Sequence, residues 1–220
     1  MTATRTALPA AVLWDMDGTL VDTEPYWMQV EFEIAARYGG SWDDEHAMAV
    51  VGGDLIDSAT YMAQHMGIDR TPQQIVEELL DGVVALVEQE VPWRPGAREL
   101  LAALREAGVP CALVTMSWRR FVEPVIAQLP ADSFDVLVCG DEVSRGKPHP
   151  DPYLRAAELI GLAPQDTVAI EDSPTGATSA EAAGCAVLVV PNHVPVPTGG
   201  RRVHRDTLVG LAPADLVLSV

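Results

Sequence analysis

Lysine is almost missing from this chain. Lys147 is the only one in 220 residues, and 14 Lys and Arg stand against 32 Asp and Glu, for a formal net charge of −18. A surface so acidic repels phosphate backbones, because nucleic-acid binding draws on clustered cations that release counterions. Nucleic acid is therefore excluded as an expected partner, and an anionic ligand must be held by local charge. Long apolar runs are also missing: none approaches the ~20 residues of a membrane span. The run 10–14 (Ala-Ala-Val-Leu-Trp) is too short for a signal sequence and leads straight into Asp15 and Asp17 instead of a small-residue cleavage site. Cysteine is sparse and odd in number, with Cys111, Cys139 and Cys185 each in an apolar, strand-like segment and no CxxC pair. That usage fits reduced, buried thiols and a cytoplasmic location. Oligomeric state stays open.

What is present is ordinary globular composition, 48% hydrophobic and 21% charged residues. The segment 10–14 is apolar throughout, as in a parallel strand buried on both faces. Similar segments recur at 110–115, 136–139, 167–170 and 186–190, with helix-period stretches at 96–107, 118–129, 152–160 and 175–183 between them. Such alternation predicts an α/β fold: a Rossmann-like, mostly parallel sheet flanked by helices and joined by right-handed crossovers. The interval 23–91 breaks the rhythm with helix-like runs at 26–38, 54–66 and 72–90 and no strand, bounded by Pro25, Pro92 and Pro95. It reads as an inserted α-helical module, leaving 1–22 and 92–220 as the α/β core. After Pro191 the chain reads as a surface loop up to Arg205, and 214–220 as a weak final strand.

Chemistry concentrates at strand ends. Asp15 follows the first strand directly, at the sheet edge where open α/β folds place ligands. Asp17 lies two residues on, and Gly18 allows a tight turn. Two carboxylates so close repel unless a cation or a shared proton relieves them. One could attack phosphorus while the other moves protons, with Mg²⁺ offsetting the charge; a solvated turn is the lesser reading of the run alone. The second strand ends in Thr115, and Met116-Ser117 reads as a helix start. A hydroxyl and free N–H groups there suit a phosphate, and ordinary capping by Ser117 suits the same residues. Lys147, locked between Gly146 and Pro148, is isolated enough to have a specific task, neutralising a nucleophile and phosphoryl oxygens, whereas His149 reads as loop packing. Glu171-Asp172 close the fourth strand; they complete an oxygen-ligand Mg²⁺ site with Asp15 and the Asp17 carbonyl, or else Asp172 or Ser173 caps the next helix.

Together these residues resemble the haloacid dehalogenase superfamily of phosphatases and phosphomutases. Its four motifs match as Asp15-Met16-Asp17-Gly18-Thr19, Thr115, Lys147-Pro148 and Glu171-Asp172, in order along nearly the whole chain. The resemblance implies that Asp15 forms an aspartyl-phosphate, that Asp17 is the general acid/base, and that Thr115, Met116 and Lys147 hold the phosphoryl group. It implies Mg²⁺ on Asp15, Asp17 and Asp172, with Glu171 a further or supporting group. The insertion resembles the helical cap of the β-phosphoglucomutase-like subgroup.

Within the superfamily, dehalogenases lack an acid at the Asp17 position, and phosphonoacetaldehyde hydrolases need a cap lysine that this chain does not have. A β-phosphoglucomutase-type mutase is the nearer alternative. It grips a second phosphate with cap cations, where this chain has the loop 51–57 (Val-Gly-Gly-Asp-Leu-Ile-Asp) and Trp27. Arg37 and Arg70 read as cap-surface residues. The expectation is a phosphatase acting on a small, sugar-like phosphomonoester, with Glu24 and Trp27 facing its hydroxyls unless Trp27 packs inside the cap. A non-catalytic metabolite-binding module on the same fold is the alternative of another class.

Overall fold

The computed structural model describes residues 7–51 and 53–220; residues 1–6 of the expected core segment 1–22, and Gly52 in the loop 51–57, lie outside them. Six strands, β1 (Ala11–Trp14), β2 (Cys111–Val114), β3 (Val136–Val138), β4 (Thr167–Glu171), β5 (Ala186–Val189) and β6 (Arg202–His204), form one sheet in the order β3-β2-β1-β4-β5-β6, every pairing parallel. All side chains of β1, β2, β4 and β5 are buried, which is why these strands read as unbroken apolar runs. Successive side chains alternate between the two faces. Leu13, Ala112, Val114, Ala169 and Val187 turn to one face, under α7 (Asp151–Ile160) and α8 (Pro174–Ala183). Ala112, Ala169, Ala177 and Ala180 are small, so those helices lie close on the sheet. Val12, Trp14, Leu113, Ile170 and Leu188 join the other core, shared with α5 (Ala97–Glu106), α6 (Arg119–Ile126) and the inserted helices. Each large apolar side chain buried this way contributes about 1.5–3 kcal/mol.

The chain passes out of β1 into four helices, α1 (Glu24–Tyr38), α2 (Asp44–Val50), α3 (Leu55–His65) and α4 (Pro72–Gln89). Here α4 is the hub. Thr71 and Gln74 close a capping box at its start, and Ile75, Leu79, Leu80, Val83 and Val87 bury a continuous stripe. The chain leaves and re-enters the sheet side by side, through an antiparallel bridge between Val21 and Trp93 and the backbone bonds Asp22 N–H to Pro92 C=O (2.8 Å) and Arg94 N–H to Leu20 C=O (3.0 Å).

Gly82, inside α4, packs tightly against α1, since a Cβ there would lie 2.6 and 2.7 Å from the Val30 methyls. Alanine gains about 1 kcal/mol of helix propensity over glycine, but this overlap on a packed face costs about 1–3 kcal/mol. Gly82→Ala is therefore expected to lower the melting temperature, and adding Val30→Ala to recover part of the loss; a single variant that melts higher contradicts the packing argument.

Three expectations need correction. Residues 214–220 form no strand: Pro213–Leu216 is a 3-10 turn. The sixth strand is β6, inside the segment read as a surface loop. Its Arg-Val-His is only half buried at the sheet edge, so no apolar run announces it. α2 was missed because seven residues barely complete two turns and show no resolvable period; Asp43 caps it by accepting from His46 N–H.

Candidate active site

The strand order places the point where the sheet's winding reverses between β1 and β4, and ligands of open α/β sheets bind outside the carboxyl ends of strands at such a point. Asp15 stands there, its N–H continuing the ladder to Ile170 C=O at 3.0 Å. Glu171 and Asp172 stand beside it at the end of β4. Lys147 reaches between them from the loop before α7: its Nζ donates to Asp15 Oδ1 (2.6 Å), Glu171 Oε1 (2.7 Å) and Val114 C=O (2.9 Å), committing all three protons. Burial works against its charge, but Asp15 and then Glu171 outweigh it and hold the ammonium above its ordinary range. Tyr153 donates to the same Glu171 oxygen, and burial first, then Asp15, pushes the Glu171 carboxyl up to about 7.

Asp15, Glu171 and Asp172 each offer a carboxylate oxygen within 4.8 Å of the others. Asp15 Oδ2 is buried without a hydrogen-bond partner among the described residues. Burial, reinforced by Asp15 and Glu171, pushes the Asp172 carboxyl up to about 9. An orphaned carboxylate oxygen beside two further acids is a donor set fitting a hard divalent cation. Gly18 makes room for it: φ there is +87°, and a Cβ would lie 2.0 Å from Asp172 Oδ2.

Asp17 faces hydroxyls instead. Thr23 and Ser117 donate to its two oxygens at 2.6 and 2.7 Å, and Thr115 donates at 3.2 Å. Burial, followed by Asp15, raises its carboxyl, against the pull of the Thr23, Ser117 and Thr115 hydrogen bonds. Ser117 thus turns inward to Asp17. This corrects the reading of Ser117 as a helix cap. α6 begins at Arg119, after a Trp118 that makes no side-chain cap, so Ser117 is free to turn inward. Met116 lines the cavity, and its sulfur accepts from Lys147 N–H at 3.3 Å. Ser173 takes the capping role after β4, accepting from Gly176 N–H (3.1 Å) and leaving Asp172 uncapped work.

A cavity of about 280 Å³ opens over these groups, walled by Glu24, Trp27 and Glu31 of α1, by α2, α3 and Leu79, and by His193 from the loop after β5. Trp27 also meets Phe121 of α6 edge-on, centroids 5.2 Å apart, so it packs between the inserted helices and the core. Burial, reinforced by Asp17, lifts the Glu24 carboxyl to about 7. Arg37 and Arg70 both turn to Glu78, at 2.8 and 3.4 Å, away from the cavity. His149 lies beside Asp151 at 2.9 Å, in the loop. Sequence reasoning missed Glu31 and His193. For Glu31 the signal was its spacing, seven residues after Glu24 on one helix face; for His193 there was none.

A family model described as haloacid dehalogenase-like hydrolase matches residues 12–190. The chain is 33% identical to hexitol phosphatase B of Escherichia coli over 184 residues, 82% of this chain and 83% of that one. It is 37% identical to hexitol phosphatase A of the same organism over 182 residues, 81% of each. Among solved structures, CbbY from Rhodobacter sphaeroides, crystallised with xylulose-1,5-bisphosphate, superimposes with a TM-score of 0.82 at 30% identity, covering 96% of this chain and 100% of that one. With its motif residues gathered at one sheet edge and the family match spanning most of its length, the chain belongs to the haloacid dehalogenase-like hydrolases.

Proposed function

We propose that the protein is a Mg²⁺-dependent phosphatase hydrolysing a small sugar or polyol phosphomonoester through an aspartyl-phosphate on Asp15, with residues 23–91 acting as a cap over the core. The observation carrying this reading is the junction of β1 and β4, where Lys147 bridges Asp15 and Glu171 while Asp15 Oδ2, beside Asp172, has no partner among the described residues. Similarity to two hexitol phosphatases supports the substrate class.

The Asp15 carboxylate attacks phosphorus in line with the leaving oxygen. Lys147 orients it and offsets the charge gathering on the phosphoryl oxygens. Asp17, held by three hydroxyls, is the general acid that donates to the leaving oxygen. It then takes a proton from the water that opens the aspartyl-phosphate. Asp15 and Asp172, with the Asp17 carbonyl, would hold Mg²⁺, and Glu171 keeps Lys147 in place. The bound cation supplies charge neutralisation and a fixed phosphoryl geometry. Cap closure shields the reacting centre from bulk water. A mutase must grip a second phosphate, and among the described residues lining the cavity the basic groups are Lys147, already committed, and His193, which lies 2.8 Å from Asp22.

Phosphate release from a panel of hexitol, pentitol, glycerol and aldose phosphates tests this. The expected result is Mg²⁺-dependent turnover, highest on the polyol and sugar phosphates and lost in EDTA. Isomerisation of a sugar phosphate without phosphate release identifies a mutase. Tight ligand binding with no turnover of any ester identifies a binding module.

A further inference from the structure

Glu24, Trp27 and Glu31 occupy positions i, i+3 and i+7 of α1, one face of the helix, and all three line the cavity over Asp15. Seven residues of helix advance about 10.5 Å. Glu24 stands at the near end, where Asp17 acts on it; the charge that acts on Glu31 is Glu24. Glu31 is 5% exposed. Among the described residues a single side-chain donor reaches it, Trp42 Nε1 to Oε2 at 3.0 Å. A buried carboxyl ordinarily collects several hydrogen bonds, since leaving its oxygens bare is costly. Glu31 lines the cavity, and its other oxygen has no side-chain donor among the described residues. Trp42 is itself stacked on His46 at 5.1 Å, and His46 Nδ1 lies 2.9 Å from the Tyr61 hydroxyl, so the wall behind Glu31 is braced by α2 and α3.

We propose that Glu31 is a specificity-determining residue that hydrogen-bonds the distal hydroxyls of a neutral polyol or sugar leaving group, and that with Glu24 it turns away esters carrying a second anion. This rests on the phosphatase reading above. The leaving group extends along α1 from the phosphate beside Asp15 to the Glu31 carboxyl, its carbon chain lying against Trp27. Charged or protonated, the carboxyl bonds a hydroxyl, as acceptor in one state and as donor in the other. A second phosphate meets two carboxyls and, among the described residues lining the cavity, no free cation. An ester too short to reach Glu31 leaves that carboxyl with Trp42 as its sole side-chain partner among the described residues, which is how sites built to bond a hydroxyl discriminate.

The experiment compares wild type with Glu31→Gln on hexitol phosphate, glycerol phosphate, hexitol bisphosphate and p-nitrophenyl phosphate. Glutamine keeps an oxygen for Trp42, so the wall survives while the charge is removed. In the wild type kcat/KM is expected to climb from the three-carbon to the six-carbon ester. In the variant the ratio of kcat/KM for hexitol phosphate to that for p-nitrophenyl phosphate is expected to fall about tenfold, mainly through KM. Discrimination against the bisphosphate is expected to shrink by a similar factor. Should Glu31→Gln not fold, Glu31→Asp, which keeps the charge but withdraws it by one methylene, is expected to show the same fall. Loss shared equally by all four esters means a purely structural role and overturns the proposal, as does an unchanged ratio. Wild type that hydrolyses p-nitrophenyl phosphate but shows no chain-length preference overturns the proposal and leaves the phosphatase reading intact; wild type inert on every ester sinks that reading itself.

Discussion

Asp15→Asn is expected to reduce phosphomonoester turnover by ~10⁴-fold or more, because it deletes the nucleophile. Asparagine keeps an oxygen where Lys147 Nζ donates to Asp15 Oδ1, and Lys147 retains Glu171 and the Val114 carbonyl. Asp17→Asn separates the two steps. A p-nitrophenolate leaving group needs no proton, so the first transfer survives and releases about one equivalent of nitrophenolate per enzyme. Opening of the aspartyl-phosphate, which needs Asp17 as base, then falls by ~10²–10⁴-fold. The check is stopped-flow absorbance with phosphate analysis of the trapped protein. A burst from the Asp15 variant, or steady turnover without a burst in the Asp17 variant, contradicts the division of labour.

How much of this could be read in advance depended on how each residue is buried. Strands β1, β2, β4 and β5 are covered on both faces, so their sequences are apolar at every position and visible without a structure. β6 lies at the edge with half-exposed Arg202 and His204, and its pairing comes from the backbone bonds that every residue carries. Asp15, Glu171 and Asp172 stood out because acids directly after apolar strands are rare, and Lys147 because it has no companions. Ser117 pointed the wrong way in the sequence reading because capping is the default use of a serine before a helix, and only the fold reveals that α6 starts at Arg119. Glu31 was hidden for the opposite reason. A glutamate among Gln29, Glu33 and Arg37 looks solvated, and its burial follows from the packing of α1 against α4 and from Trp42 in the segment before α2, neither of which is local in sequence.

Asp172→Asn is expected to do two opposite things: stabilise the metal-free protein and abolish its stabilisation by Mg²⁺. In the metal-free fold the Asp172 carboxyl is raised from 3.8 to about 9, by burial first and then by Asp15 and Glu171, with Lys147 opposing and Asp17 adding to the rise. A carboxyl that binds its proton more tightly folded than unfolded contributes stability that is full below about pH 4 and is lost as pH climbs through about 9. Melting temperature in EDTA should accordingly fall between those limits, and asparagine, which has no proton to lose, should flatten the fall. A divalent cation reverses the sign, since it favours the ionised form that the bare site resists. At a concentration about 100 times its dissociation constant it adds about 2.7 kcal/mol, or about 5–10 °C for a chain of this length. That gain should be larger at pH 8 than at pH 5, where the ion competes with a proton for Asp172. Differential scanning calorimetry of both proteins, with EDTA and with Mg²⁺ across this range, carries the test. A variant that melts lower than wild type in EDTA contradicts the strain on the buried carboxyl, and one that keeps the full Mg²⁺ shift removes Asp172 from the metal site. A higher metal-free melting temperature with no Mg²⁺ response means that the same acids that strain the bare fold form the seat of its cation.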